Sequence, residues 1–412
     1  MRRAGSWIRL QLVAVLLLVS GQMACASRTF TTIPAYWVEY QRWWEPLVFF
    51  FWDLYFTSPT DGWVVGDDYL LQIAGGNPSV TFIEGWRRGI SFHVVRVVDN
   101  GDVWAGGNRK GSAAIWRYSG EWHQVVELPE GFTGEKSVAE SGESEGFPLS
   151  ELHRRTAWVA DMEFSGPENG FALVLEGLVY NLRSVLLEYR RGAWRILPLS
   201  LLEEGRARLL DLCLSGDSGW AVGFMRVEPS GSRPLALRYE NGQWQTTQLP
   251  EIPGPYVSLS YVVCDPRGGA YLAGTVRRDP RVGPLMENVL LRYTDRWERV
   301  EVPDPSPDRK AEIAAIALAD DGLWVAMSEL RGGALYAYHN GSWSRLPYPS
   351  VEEGPTGGFT DFDGLQVFPG EAWAIANGGG RGLLFHYANG RWTNKNWDYS
   401  DWRYLWSMFF GH

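Results

Sequence analysis

The residue types that carry most enzyme chemistry are present in this chain, but their spacing does not suit it. The six histidines, His93, His123, His153, His339, His386 and His412, show no ligand spacing of the kind that holds zinc, so no metal site is expected. Asp67-Asp68 and Asp320-Asp321 stand beside glycines, where acids serve turn chemistry rather than general acid–base work. Gly378-Gly379-Gly380 lacks the strand-to-helix context that a phosphate-cradling loop requires. No catalytic residue and no cofactor are therefore assigned. Cys213 and Cys264 each lie seven residues before an aromatic, Trp220 and Tyr271, that occupies the same place in a repeat. Equivalent positions on successive sheets should point the same way across about 10 Å, too far for a disulfide. Both cysteines are expected as buried small apolar residues without a bridge.

Binding chemistry is better represented. Arg109 with Lys110, Arg183, Arg226, Arg277 with Arg278 and Arg281, Arg331, and Arg381 recur at corresponding places along the chain. The planar guanidinium fork pairs carboxylates bidentately, so these residues could make a mildly basic face for an anionic protein segment or glycan. Surface loops also collect solvated charge without a ligand, and that is the competing reading. A second candidate is an aromatic patch at the two ends, with Trp37, Trp43 and Trp44 near the start and Trp402 and Trp406 near the end. Either these rings pack together to close the fold, or they form an exposed contact patch.

The elements that must position these residues come from self-similarity. The second strand of the repeat reads Gly62-Trp63-Val64-Val65-Gly66, Asp102-Val103-Trp104-Ala105-Gly106, Gly219-Trp220-Ala221-Val222-Gly223 and Gly269-Ala270-Tyr271-Leu272-Ala273-Gly274. Leu323-Trp324-Val325-Ala326 and Ala372-Trp373-Ala374-Ile375-Ala376 are further copies, and Gly170 to Val174 is a weaker one. A third strand ends in Tyr, turns at Gly and returns through Trp, most clearly in Leu237 to Trp244. From Trp194 onward the Trp-to-Trp steps are 50, 53, 46 and 49 residues, while the step from Trp122 to Trp194 is 72, because a polar insert near 131–152 intervenes.

A period near 50 with four short strands is a propeller blade. One such sheet cannot bury both faces alone, and stacking sheets around an axis solves that. The fold expected is an all-β β-propeller with seven four-stranded blades near 49–88, 89–130, 153–201, 206–252, 256–303, 311–348 and 357–396. Six or eight blades stay open, because the first has lost its Tyr and Trp and the third is split. Tight turns such as Asp61-Gly62, Asn169-Gly170, Asn241-Gly242, Asn340-Gly341 and Asn389-Gly390 mark one face. Longer loops near 224–234 and 275–288, with the insert, mark the other and are expected to carry function. The repeat resembles bacterial propellers of the WD40, YVTN and BNR-like superfamily. Ser58 to Asp67 in particular looks like blades of the photosystem II assembly factor family and its relatives. The resemblance implies the fold and a binding or scaffolding role. The Asp-box of sialidases is absent, Ser215 to Trp220 being a partial echo, so sialidase chemistry does not carry over.

Composition sets the outer limits. Of 412 residues, 45% are hydrophobic and 22 are tryptophan, which suits half-buried pleated surfaces. Net charge is −10, against the basic footprint that nucleic-acid binding needs. Arg2, Arg3 and Arg9 followed by the apolar run Leu10 to Val19 read as a signal peptide, too short to span a bilayer. Cleavage after Ala26 fits Ala24-Cys25-Ala26, yet Cys25 also stands where a lipoprotein carries its acylated cysteine, with Gln22 in place of the usual Leu. The organisation expected is a signal peptide over 1–25, an aromatic segment over 26–48, the propeller over 49–396 and an aromatic segment over 397–412. The protein is thus read as exported, with membrane contact only through a lipid anchor. It would act as a non-enzymatic binding or assembly scaffold for a protein or glycan. The alternatives are a glycoside hydrolase or lyase on the same fold, or a structural cell-surface module.

Overall fold

The computed structural model describes residues 50–66, 70–81, 89–128, 156–178, 181–227, 231–277, 286–305, 311–320, 322–329, 332–349, 361–378 and 381–395. These residues form 28 strands in seven sets of four, each set consecutive in sequence. The first holds β1 (Phe51–Ser58), β2 (Asp61–Gly66), β3 (Leu70–Ala74) and β4 (Asn77–Thr81). The second holds β5 (Ile90–Val97), β6 (Val103–Arg109), β7 (Ser112–Tyr118) and β8 (Trp122–Leu128). The third holds β9 (Thr156–Gly166), β10 (Asn169–Leu178), β11 (Asn181–Arg190) and β12 (Ala193–Leu197), followed by the short helix α1 (Ser200–Glu203). The fourth holds β13 (Ala207–Ser215), β14 (Ser218–Arg226), β15 (Ser232–Glu240) and β16 (Gln243–Thr246). The fifth holds β17 (Tyr256–Cys264), β18 (Ala270–Arg277), β19 (Met286–Tyr293) and β20 (Trp297–Arg299). The sixth holds β21 (Glu312–Ala319), β22 (Gly322–Glu329), β23 (Gly332–His339) and β24 (Ser342–Leu346). The seventh holds β25 (Asp361–Phe368), β26 (Glu371–Gly378), β27 (Arg381–Ala388) and β28 (Arg391–Asn394).

Within each set the strands pair antiparallel in chain order. The first strand of each set touches the first strand of the next, and β25 touches β1, so the seven first strands form a closed ring. This is a β-propeller. One apolar cluster fills each gap between neighbouring sheets, including the gap between the seventh and the first.

The repeated aromatics explain why the sheets stack. Tyr118 and Trp122, Tyr189 and Trp194, Tyr239 and Trp244, Tyr293 and Trp297, Tyr338 and Trp343, and Tyr387 and Trp392 are all directly opposed across the third and fourth strands. Each pair receives the second-strand aromatic of the preceding blade. Trp63 lies 5.8 Å from Tyr118, Trp104 5.0 Å from Tyr189, Phe171 4.9 Å from Tyr239 and Trp220 5.0 Å from Tyr293. Such tilted and edge-on pairs add about 0.5–1.5 kcal/mol each beyond the area they bury. In the first blade Ile73 and Pro78 take the Tyr and Trp places. Trp373 of the last blade therefore meets no such pair. It stacks instead on Phe56 of the first blade at 4.4 Å and on its own His386 at 4.3 Å.

Three expectations are corrected. Cys213 and Cys264 form a disulfide, with Cα atoms 5.7 Å apart. Matching positions by strand pairing shows why. Trp220 faces Cys213, but its counterpart Tyr271 faces Val263, because the β17–β18 turn is longer than the β13–β14 turn. Cys264 is thus one residue out of register with Cys213, and a one-residue shift turns a side chain to the opposite face of its strand. The two thiols point at each other across one gap, where inner strands converge more closely than sheets packed face to face. Second, Asp61-Gly62 and Asn169-Gly170 are not turns but begin β2 and β10. Glycine is needed there because a Cβ would lie 2.5 Å from the Phe56 or Phe164 ring. The other three pairs do sit at positive φ, with Asn241 at 53°, Asn340 at 47° and Asn389 at 54°. Third, the loops expected over 224–234 and 275–288 are shorter, since β14 and β18 extend to Arg226 and Arg277.

Candidate functional site

Antiparallel order places the ends of second strands, the starts of third strands and the starts of first strands on one rim. Arg109 ends β6, Lys110 follows in the β6–β7 turn at φ 53°, Arg226 ends β14, Arg277 ends β18 and Arg381 starts β27. All five therefore belong to the same rim, from four different blades. Arg109 is engaged within its own blade, donating to Gln124 at 2.5 Å and pairing with Glu127 at 3.4 Å. Arg226 and Arg277 are exposed. Arg278, Arg281, Arg331, Trp37, Trp43, Trp44, Trp402, Trp406, Cys25 and the insert lie outside the described residues.

Residues not singled out from sequence enrich this rim on the fourth blade. Arg206 precedes β13, Arg208 is its second residue and Arg233 the second of β15. Arg226 donates its backbone N–H to the Arg206 carbonyl at 2.8 Å, so the arginines cluster around one strand end. Glu204, itself exposed, lies 3.5 Å from Arg206.

A second cluster sits on the inner strands. Arg96 of β5 reaches three carboxylates on two neighbouring blades, with Asp53 at 2.5 Å, Glu163 at 2.7 Å and Asp161 at 2.9 Å. Asp53, Asp161 and Asp211 occupy equivalent places beside a bulge, pairing with Val65, Leu173 and Val222. Each accepts a backbone N–H from the next blade, Val95 at 3.0 Å, Leu212 at 2.9 Å and Val262 at 2.6 Å. The bulge leaves a backbone donor without a ladder partner, and a carboxylate supplies the missing acceptor. Burial opposes the Arg96 charge, but Glu163, Asp53 and Asp161 outweigh it and hold the guanidinium well above its ordinary value. Burial pushes Glu163 up to about 7 against the pull of Arg96, with Asp161 and Asp53 adding to the rise. Burial, the Asp161 charge and a hydrogen bond shared with that carboxyl hold Asp211 well above the usual carboxylate range. The sequence signal was there in retrospect: single acids inside apolar first strands, as in Val159-Ala160-Asp161-Met162 and Leu209-Leu210-Asp211-Leu212.

Beside this cluster His93 packs between Trp52 at 5.4 Å and Trp158 at 6.3 Å. Burial lowers it to about 4, so it is neutral at physiological pH. Among the described residues, no three His, Cys, Asp or Glu side chains are grouped to hold a metal ion.

No protein-family model and no curated protein matches the chain. Several solved structures do. The GH74 xyloglucanase from Xanthomonas campestris is 14% identical with a TM-score of 0.54, over 84% of this chain and 54% of that one. The acylaminoacyl peptidase from Pyrococcus horikoshii is 10% identical with a TM-score of 0.51, over 87% and 53%. The β-propeller domain of the Trilobed protease from Pyrococcus furiosus is 12% identical with a TM-score of 0.49, over 86% and 99%. The chain spans about half the length of the peptidase and the xyloglucanase. At these identities the likeness is one of fold, and the fold is the β-propeller.

Proposed function

We propose that the protein is a non-enzymatic binding or assembly scaffold that presents its arginine-bearing rim to an anionic protein or glycan. The observation that carries this reading is the placement of Arg109, Arg226, Arg277 and Arg381, from four blades, on one rim of a chain with net charge −10. Basic side chains on one rim of an acidic molecule would steer anionic partners toward that face. The resemblance of the Ser58 to Asp67 segment to photosystem II assembly factor relatives supports the same role. The test is a pull-down from native envelope with the mature chain beside its Arg226→Ala/Arg277→Ala variant. A partner that salt releases and the variant fails to capture is expected; equal recovery by both chains would overturn the reading.

We also place the mature chain outside the cytoplasm. The basic start followed by a short apolar run supports export, and so does the Cys213–Cys264 disulfide, since such bridges persist in oxidising compartments. Acylation at Cys25 is expected to show as incorporation of labelled palmitate that Cys25→Ala abolishes.

The enzyme alternative draws on Glu163, whose raised pKa suits a general acid. Against it, Asp53, Asp161 and Asp211 are already committed to backbone donors. A glycoside-cleavage screen in which an activity appears and Glu163→Gln removes it would favour that alternative.

A further inference from the structure

The bulges of the third and fourth blades bring two acids together. Leu212 N–H donates to Asp161 Oδ2 at 2.9 Å and to Asp211 Oδ1 at 3.0 Å. One N–H in front of two oxygens sets the carboxyls of neighbouring blades side by side. The two side chains also share a hydrogen bond of their own. An ionised carboxylate only accepts, so that bond needs a proton on one member of the pair.

The surroundings decide which member carries it. Asp161 Oδ1 accepts from Arg96 at 2.9 Å and from Met162 N–H at 2.8 Å. With Leu212 that makes three donors, one of them a guanidinium, and they favour its ionised form. Asp211 Oδ2 accepts from Val262 N–H at 2.6 Å, and among the described residues no cation is bonded to Asp211. Arg96 is a single charge already divided among Asp53, Asp161 and Glu163. The remaining neighbours of Asp211 bring no charge. Val222 stands opposite it on β14, and Val257, Leu259 and Val262 of β17 line the same gap. Burial first, then the Asp161 charge, hold Asp211 well above the usual carboxylate range.

We infer that Asp211 and Asp161 share one proton, carried on Asp211 Oδ1 and donated to Asp161 Oδ2, and so form a proton-dependent latch across the third, fourth and fifth blades. Asp161 reaches the fourth blade through Leu212, and Asp211 reaches the fifth through Val262. Loss of the proton leaves two carboxylates in contact, and their repulsion works against the β9–β13 seam. The unfolded chain releases this proton near the ordinary aspartate value of 3.8, while the folded chain keeps it to higher pH. The latch is therefore complete in acid and is lost as pH rises through the folded value.

The test uses the full chain with Glu163→Gln in place, because Glu163 also holds its proton to raised pH. The infrared difference spectrum between this chain and its Asp211→Asn derivative at neutral pH is expected to show the C=O stretch of a protonated carboxyl, lost in the derivative. Asp211→Asn keeps both bonds without a charge to gain, since its amide donates to Asp161 and its carbonyl accepts from Val262. Its melting temperature at pH 8 should hold or rise, and the fall in melting temperature between pH 5 and pH 8 should shrink to under about half. Asp211→Ala should melt lower at both values, because Val262 N–H and Asp161 lose a partner. The inference is overturned if no protonated-carboxyl band separates the two chains, or if Asp211→Asn melts as low as Asp211→Ala at pH 8. Should Asp211→Asn not fold, Asp161→Asn makes the same infrared comparison, since its amide donates to an ionised Asp211 and the band should again be lost.

Discussion

Two seams of the ring are held in different ways. Where the fourth and fifth blades meet, the chain runs on from one to the other, a disulfide joins their first strands, and β15 pairs with β17 through Ser232 and Tyr256. Where the seventh meets the first, the two ends of the propeller chain meet, and side chains do the work. Asn377 accepts from the Phe51 N–H at 2.9 Å and donates to the Phe51 carbonyl at 2.7 Å. Gln366 treats Phe56 in the same way, at 2.6 and 2.7 Å. Trp373 adds an indole bond to the Pro59 carbonyl at 2.8 Å. Each amide turns one N–H and its carbonyl oxygen to the backbone, as a peptide group does, so two side chains imitate a strand pairing that no shared blade supplies. The contrast teaches where a propeller can open and where it can hold a ligand steadily.

The largest expected effect lies on the other side of the first blade. Arg96→Ala leaves Asp53, Asp161 and Glu163 without their cation and should cost about 3–5 kcal/mol, read from urea unfolding. A change under about 1 kcal/mol would mean that the cluster does not brace the first blade against the second and third. Next, Cys213→Ser removes a cross-link spanning 51 residues and should cost about 2–4 kcal/mol. If unfolding is insensitive to it, the fourth and fifth blades are not the pinned seam. Asn377→Ala should cost about 1–3 kcal/mol, because the Phe51 N–H and carbonyl lose their bonds to the amide. Limited proteolysis should then cut first near the first or last blade, and a first cut in the fourth would break the comparison.

A pH dependence completes the comparison. Glu163 has its pKa raised from 4.5 to about 7, so the folded chain holds a proton that the unfolded chain releases between those values. Stability should fall as pH rises through that window and level off above it. Asp211, also raised, acts in the same direction. Melting followed from pH 5 to pH 8 should show the decline in the wild type and a shallower one in Glu163→Gln; identical slopes would remove Glu163 from the account.

The aromatic repeat was legible because each Tyr, Trp and second-strand ring meets the same partners in blade after blade, and chemistry that repeats leaves a period. What did not repeat was harder to read. The Asn377 and Gln366 contacts join residues 326 and 310 positions apart, so no local pattern marks them. Cys213 and Cys264 looked equivalent because spacing to the next aromatic is equal, while the longer β17–β18 turn moved one of them by a register place. Arg96 looked like any strand charge until folding brought three acids to it. Arg109, Arg226, Arg277 and Arg381 were found from position in the repeat, whereas Arg208 hid in an apolar first strand whose pattern spoke only of core.

The central claim is that the partner binds the rim that carries Arg109, Arg226 and Arg277 and not the opposite rim. Hydrogen exchange of the mature chain with and without its captured partner tests this directly. The account predicts slower exchange in peptides covering 106–112, 224–234 and 275–277, with the opposite-rim turns 58–61, 240–243 and 389–391 unchanged. Protection at 58–61, 240–243 and 389–391 with none around Arg226 and Arg277 would contradict it.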